Sequence, residues 1–154
     1  MQRSRIKLLQ NMAIFGAITQ ESLGFLIDRS NIVERQRGEY FVREAENATS
    51  MFVLESGKVA VSKKLKGKKH LLKHLSQGDC FGEMALIDLH PRSASVKAME
   101  SCKAIELSYA ALLELYQHDL EQFTIIQMNI GREISRRLRI ADDELFEING
   151  DKPD

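Results

Sequence analysis

The amino-acid sequence predicts an α+β fold that is mainly β: a compact barrel or roll, with helices before it and a long helix after it. Three observations carry this expectation. Between Ile32 and Leu107, short β-like runs are broken by glycine and polar turns. On either side of that stretch, Thr19 and Ser108 stand as capping residues ahead of helically spaced apolar residues. From Phe123 to Ile148, apolar residues recur at intervals of three or four.

Each element follows in chain order. Thr19 caps a short helix that has Glu21 in its first turn and Leu23, Leu26 and Ile27 on one face. Ile32-Val33, Tyr40-Phe41-Val42 and Met51-Phe52-Val53-Leu54 read as strands, with Gly38, Gly57, Gly67 and Gly78 as punctuation. Val59 and Val61 alternate with Lys58, Ala60 and Ser62, as a half-buried strand requires. The dense Lys63–Lys69 run reads as a solvated hairpin tip. Phe81 to Ile87 interrupts the strands as a turn leading into one or two helical turns, which Pro91 stops. Strand alternation returns over Ser93–Ala98 and Lys103–Leu107. Ser108 then caps a helix with Tyr109, Leu112, Leu113 and Tyr116 on one face, and Asp119 with Gln122 starts the last one. There Phe123, Ile126, Ile130, Ile134, Leu138, Ala141, Leu145 and Ile148 form a stripe that either packs on the barrel or makes a seam between two subunits. The DKPD tail is expected to fray.

A length of 154 residues suits one domain: helices over 1–30, a β-roll over 31–107 with its helical interruption at 81–94, and a hinge and long helix over 108–150. Lysine plus arginine (22) equals aspartate plus glutamate (22), so the global positive charge of a dedicated nucleic-acid binder is missing. No apolar run approaches the roughly 20 residues that span a bilayer, and no apolar core follows the basic start. Cys80 and Cys102 are too few for a disulfide scaffold and fit a reducing cytoplasm. No P-loop, nucleophile elbow or coherent acid–base pair appears, so no enzyme is expected. His70 and His74 lie four apart, on one face of an ideal strand, but no third ligand follows, and no metal is expected.

The chemistry concentrates in Gly78–Val96, GDCFGEMALIDLHPRSASV. A short helix over 83–87 would offer free amides and a positive dipole end to an anion. Gly82 removes a side chain where a ligand approaches the backbone. Arg92 brings a planar charged fork to the same anion, and Ser93 adds a hydroxyl. Glu83 repels phosphate but suits sugar hydroxyls, so the set describes a phosphorylated ribose held at both ends. Taken alone, each feature has a plainer reading, and an arginine after proline is commonly a solvated surface residue.

The run FGEMAL, a short gap and then PRSA resembles the phosphate-binding cassette of cyclic nucleotide-binding domains. Such domains occur in regulatory subunits of cAMP-dependent protein kinase, cyclic nucleotide-gated channels and bacterial catabolite activators. The flanks LLQNMAIFGAIT, GEYFVREAENATSMFVLESGKVAV and NIGREISRRLR are similar too, so the resemblance runs from about Leu8 to Leu145. It implies a jelly-roll, a double-stranded β-helix barrel with N-terminal helices, a short cassette helix and a long C-terminal helix. It also implies that Arg92 pairs with the exocyclic phosphate oxygens, aided by the amides of Met84 and Ala85 and by Ser93. Glu83, with the Gly82 carbonyl, would hold the ribose 2′-hydroxyl, and Val61 and Leu72 would wall the base. The ISRRLR run favours cAMP over cGMP, although Ala141-Asp142 stands where the bacterial proteins carry a Thr-Ser pair touching adenine.

These residues together read as a cyclic-nucleotide sensor whose ligand repositions the C-terminal helix. Expected partners are the nucleotide, a second copy through that helix and an unknown output protein, with no direct DNA or membrane binding. The chain ends at Asp154, too early for a helix-turn-helix domain after the long helix, which reads as a free-standing sensor. The competing class is a dimerisation or interaction module that keeps the fold without the ligand.

Overall fold

The computed structural model describes residues 2–150. Helix α1 (Gln2–Gln10) and a 3₁₀ turn (Ala13–Phe15) lead to α2 (Gln20–Asp28). Eight strands follow: β1 (Asn31–Arg35), β2 (Tyr40–Val42), β3 (Ser50–Ser56), β4 (Val59–Leu65), β5 (Lys68–Leu75), β6 (Cys80–Phe81), β7 (Ser95–Ala98) and β8 (Cys102–Ser108). Helix α3 (Ala85–Asp88) separates β6 from β7, and α4 (Tyr109–His118) and α5 (Leu120–Gly150) end the described chain. The expectation for the DKPD tail lies outside the described residues.

All strand pairs are antiparallel, in two four-stranded sheets ordered β1-β8-β3-β6 and β2-β7-β4-β5. Strand β3 shows why the layers stack as they do. Its alternation sends Phe52 and Leu54 into the core between the sheets, and Met51 and Val53 into a second core beneath the helices. In the first core, Phe41, Phe52 and Phe81 form an aromatic group with centroids 5.1–5.7 Å apart. The second gathers Leu23 and Leu26 of α2, Leu112 and Leu115 of α4, and Ile126 and Ile130 of α5.

The predicted caps form. Thr19 accepts from the Ser22 amide, Ser108 from the Ala111 amide at 3.0 Å, and Asp119 from the Gln122 amide at 3.1 Å. The face of α4 differs from expectation: Ala111, Leu112 and Leu115 are buried, whereas Leu113 and Tyr116 are exposed. Tyr116 meets Phe123 of α5 edge-on at 5.2 Å, a contact between the two helices. The long stripe on α5 divides. Ile126 and Ile130 are buried, Phe123 and Ile134 pack at the margin, and Leu138, Leu145 and Ile148 are exposed.

Two local departures shape the site. Helix α3 is shorter than predicted, because residues 83 and 84 form a turn before it and Leu89 ends it in the left-handed region. Between β4 and β5 the register slips: Val61 opposes Lys73 and Ser62 opposes Leu71, leaving Leu72 as a bulge. His70 therefore opposes Lys63 and His74 opposes Ala60. Lys63 and Ala60 are three apart on their strand, so the two histidines lie on opposite faces rather than one.

Candidate functional site

The cassette turn, α3 and the following return enclose a cavity of about 380 Å³. Val61, Gly82, Glu83, Met84, Ala85, Arg92 and Ser93 all line it. Leu72 does not. It turns out to 56% exposure, and Lys73 and Leu75 take the wall instead.

Arg92 is fixed by its backbone before its side chain acts. Its amide donates to the Glu46 carbonyl at 2.8 Å, and its carbonyl accepts from Ala45 at 2.8 Å, which ties it to the turn after β2. The side chain runs inward until the residue is only 9% exposed, so the solvated-surface reading does not hold. Nη2 donates to Ser50 Oγ at 3.4 Å, and Ser50 donates onward to Glu106 at 2.8 Å. Nη1 is buried with no hydrogen-bond partner among the described residues. Burial pulls the guanidinium below its ordinary pKa, opposed by the charges of Glu106 and Glu46. A buried cation with an unused donor is costly by itself and suited to an incoming anion.

Gly82 makes room for that fork. Its φ of +78° lies in the left-handed region, and a β-carbon there would run into Arg92 Nη1 and come within 3.3 Å of the Ser50 carbonyl. The next turn is less open than the sequence reading held. The Ala85 amide, expected to be free for phosphate, donates to the Gly82 carbonyl at 3.1 Å. A tight i to i+3 turn thus uses both groups, though a carbonyl keeps a second lone pair. The Met84 amide makes no hydrogen bond among the described residues.

Glu83 is 6% exposed and forms an ion pair with Arg137, which reaches down from α5. Glu133, one turn earlier, also holds Arg137, with Nε to Oε1 at 3.3 Å. Burial lowers the Arg137 pKa, but the charge and hydrogen bond of Glu83, with Glu133, outweigh it and raise the pKa overall. Sequence reasoning gave Arg137 no role. It stands within the ISRRLR run, but its partner lies 54 positions earlier in the chain. Cys80 lines the same cavity, and burial, then the charge of Glu83, pushes its thiol up to about 12. It is a packed thiol, not a nucleophile. Among the described residues, no group of three or more histidines, cysteines or carboxylates is arranged to hold a metal.

Two antiparallel sheets thus deliver a buried arginine, a glycine turn and a buried glutamate to one cavity. The family model described as the cyclic nucleotide-binding domain matches residues 32–119. The chain belongs to the cyclic nucleotide-binding domain family. Human cGMP-dependent protein kinase 2 is 33% identical over 95 residues, covering 60% of this chain and 12% of the kinase. The cAMP-activated global transcriptional regulator CRP of Salmonella typhimurium is 28% identical over 129 residues, covering 82% of this chain and 60% of the regulator. Cyclic nucleotide-binding folds agree in three dimensions. The Thermus thermophilus Catabolite Activator Protein aligns with a TM-score of 0.79 at 26% identity, over 90% of this chain and 63% of that one. A cyclic nucleotide-binding domain from Methylobacillus flagellatus shares the fold at a TM-score of 0.80 and 20% identity, over 95% and 83% of the two chains. No described helix is long and apolar enough to cross a membrane.

Proposed function

We propose that the cavity binds a cyclic purine nucleotide and that α5 reports its occupancy. The observation carrying this reading is the buried Arg92 with its unpartnered Nη1 facing a glycine-lined turn. Arg92 pairs with the exocyclic phosphate oxygens, and the Met84 amide and the Ser93 hydroxyl add donors. Glu83 accepts from the ribose 2′-hydroxyl, which disfavours a deoxyribose ligand. Val61 and Leu75 supply apolar wall to the base. The curated relatives above are named for cGMP and for cAMP, which supports the ligand class and leaves the purine to the chemistry of the wall.

Output runs through Arg137. A ribose hydroxyl that takes a Glu83 lone pair competes with the ion pair tying α5 to the cassette. Ligand then redistributes α5 between two positions, and each tenfold difference in affinity between them is about 1.4 kcal/mol. The exposed Leu138, Leu145 and Ile148 lie beyond the packed half of α5 and form the seam of a homodimer. Sedimentation velocity should give a dimer that Leu145→Asp dissociates; a wild-type monomer at micromolar concentration removes the seam. The two unpaired cysteines suit action in the cytoplasm, towards an output protein still to be found.

Calorimetric titration of the nucleotide-free chain with cAMP and cGMP tests the ligand. Saturable binding at one site per chain supports it. Because a binding enthalpy can be near zero, a flat titration is repeated as a thermal shift, and two flat results return the chain to an interaction module.

A further inference from the structure

The wall that meets the base contains a lysine, and the pairing of β5 with β4 puts it there. Alternation from Leu75, which opposes the buried Val59, turns Lys73 to the same face and Leu72 away. In that register Lys73 stands directly opposite Val61 on β4, and the bulge at Leu72 comes only beyond this pair. Directly opposed residues of an antiparallel pair share a face. Val61 is a buried wall residue, so Lys73 faces the cavity and lines it from the mouth. It has no ion-pair partner among the described residues, whereas the Arg137 guanidinium is committed to Glu83 and Glu133.

A lysine ammonium offers three donors and no acceptor. The two purines present different edges to it. Guanine shows two adjacent acceptors, O6 and N7, whereas adenine shows the acceptor N7 beside the N6 amino donor. A donor-only cation therefore gains on guanine and meets a like group on adenine. The Val61 and Leu75 side chains beside it supply no compensating acceptor.

We infer that Lys73 sets the purine preference of this cavity in favour of guanine, making cGMP the tighter ligand; the inference rests on the cyclic-nucleotide reading above. It reverses the lean towards cAMP taken from the ISRRLR run. That run belongs to α5 and concerns the helix, while Lys73 acts on the base edge itself. Lysine is a point donor at an exposed mouth, which places its discrimination at about tenfold, the lower end for a good base-edge contact.

Paired titrations of the full chain with cGMP and cAMP test this. Wild type should bind cGMP about tenfold more tightly than cAMP. Lys73→Ala should remove the preference by weakening cGMP, with cAMP affinity within about twofold of wild type. Lys73→Glu, whose carboxylate accepts from N6 and repels O6, should invert the preference. The inference fails if wild type binds cAMP as tightly as cGMP. It also fails if Lys73→Ala weakens both nucleotides equally, since that is general attraction for phosphate. Absence of binding by either nucleotide overturns the underlying ligand reading as well, so the two failures are distinguishable.

Discussion

Replacing Arg92 with methionine should weaken cyclic nucleotide binding by about 30- to 5,000-fold while leaving the ligand-free melting temperature unchanged or raised. The loss in binding corresponds to about 2–5 kcal/mol, the range for removing one partner of a buried charged pair. The effect on folding has the opposite sign for a physical reason. Without ligand the guanidinium is buried, its Nη1 has no partner and its pKa is held down by burial. A base whose folded pKa is depressed below its unfolded value is penalised wherever it carries charge, which for arginine covers every ordinary pH. An unsatisfied buried group costs about 1–3 kcal/mol, which methionine removes while keeping an apolar stem near Phe52. The guanidinium carbon lies 5.8 Å from that ring centroid. Arg92→Lys should fall between, since a point charge replaces a two-pronged donor. Melting curves with and without saturating nucleotide read both quantities. A methionine variant that binds normally sinks the assignment, and one that melts far below wild type makes Arg92 a structural residue.

The fold was legible where its signals are local. Thr19, Ser108 and Asp119 cap helices through bonds to amides three residues on, so spacing alone announces them. The order of Gly82, Glu83 and Arg92 around Pro91 is likewise a short-range pattern, and it brought the cassette residues to one cavity. What the sequence hid was non-local. Register belongs to a strand pair rather than a strand, so nothing within KKHLLKHL shows that Leu72 turns out and Lys73 turns in. The meeting of Glu83 and Arg137 depends on where α5 crosses the cassette, which no periodicity in either segment encodes. Helix α4 departs for a third reason: its buried face runs through Ala111, Leu112 and Leu115, and a small alanine gives a weaker apolar signal than Leu113 or Tyr116, which stay exposed.

Arg137→Ala should uncouple α5 from the cassette without removing the ligand site. Two effects combine. In the ligand-free protein Glu83 loses its counterion while staying buried, and a buried carboxylate left alone is strongly disfavoured. Since the Arg137 side chain is 44% exposed, the cost falls below that of a fully enclosed pair, at about 1–3 kcal/mol. Adding Glu83→Gln should recover part of that loss, because a neutral amide needs no cation. The double variant should therefore be more stable than the sum of the two single changes predicts. The second effect concerns the response. Nucleotide binding to wild type should alter amide hydrogen exchange along α5 around Ile134–Ala141, as the ribose hydroxyl competes for Glu83. In Arg137→Ala there is no ion pair to compete with, so nucleotide should still bind while exchange along α5 stays the same with or without it. If exchange along α5 responds to ligand as strongly in the variant as in wild type, the signal travels by packing at Phe123 and Ile134, and Arg137 serves stability alone.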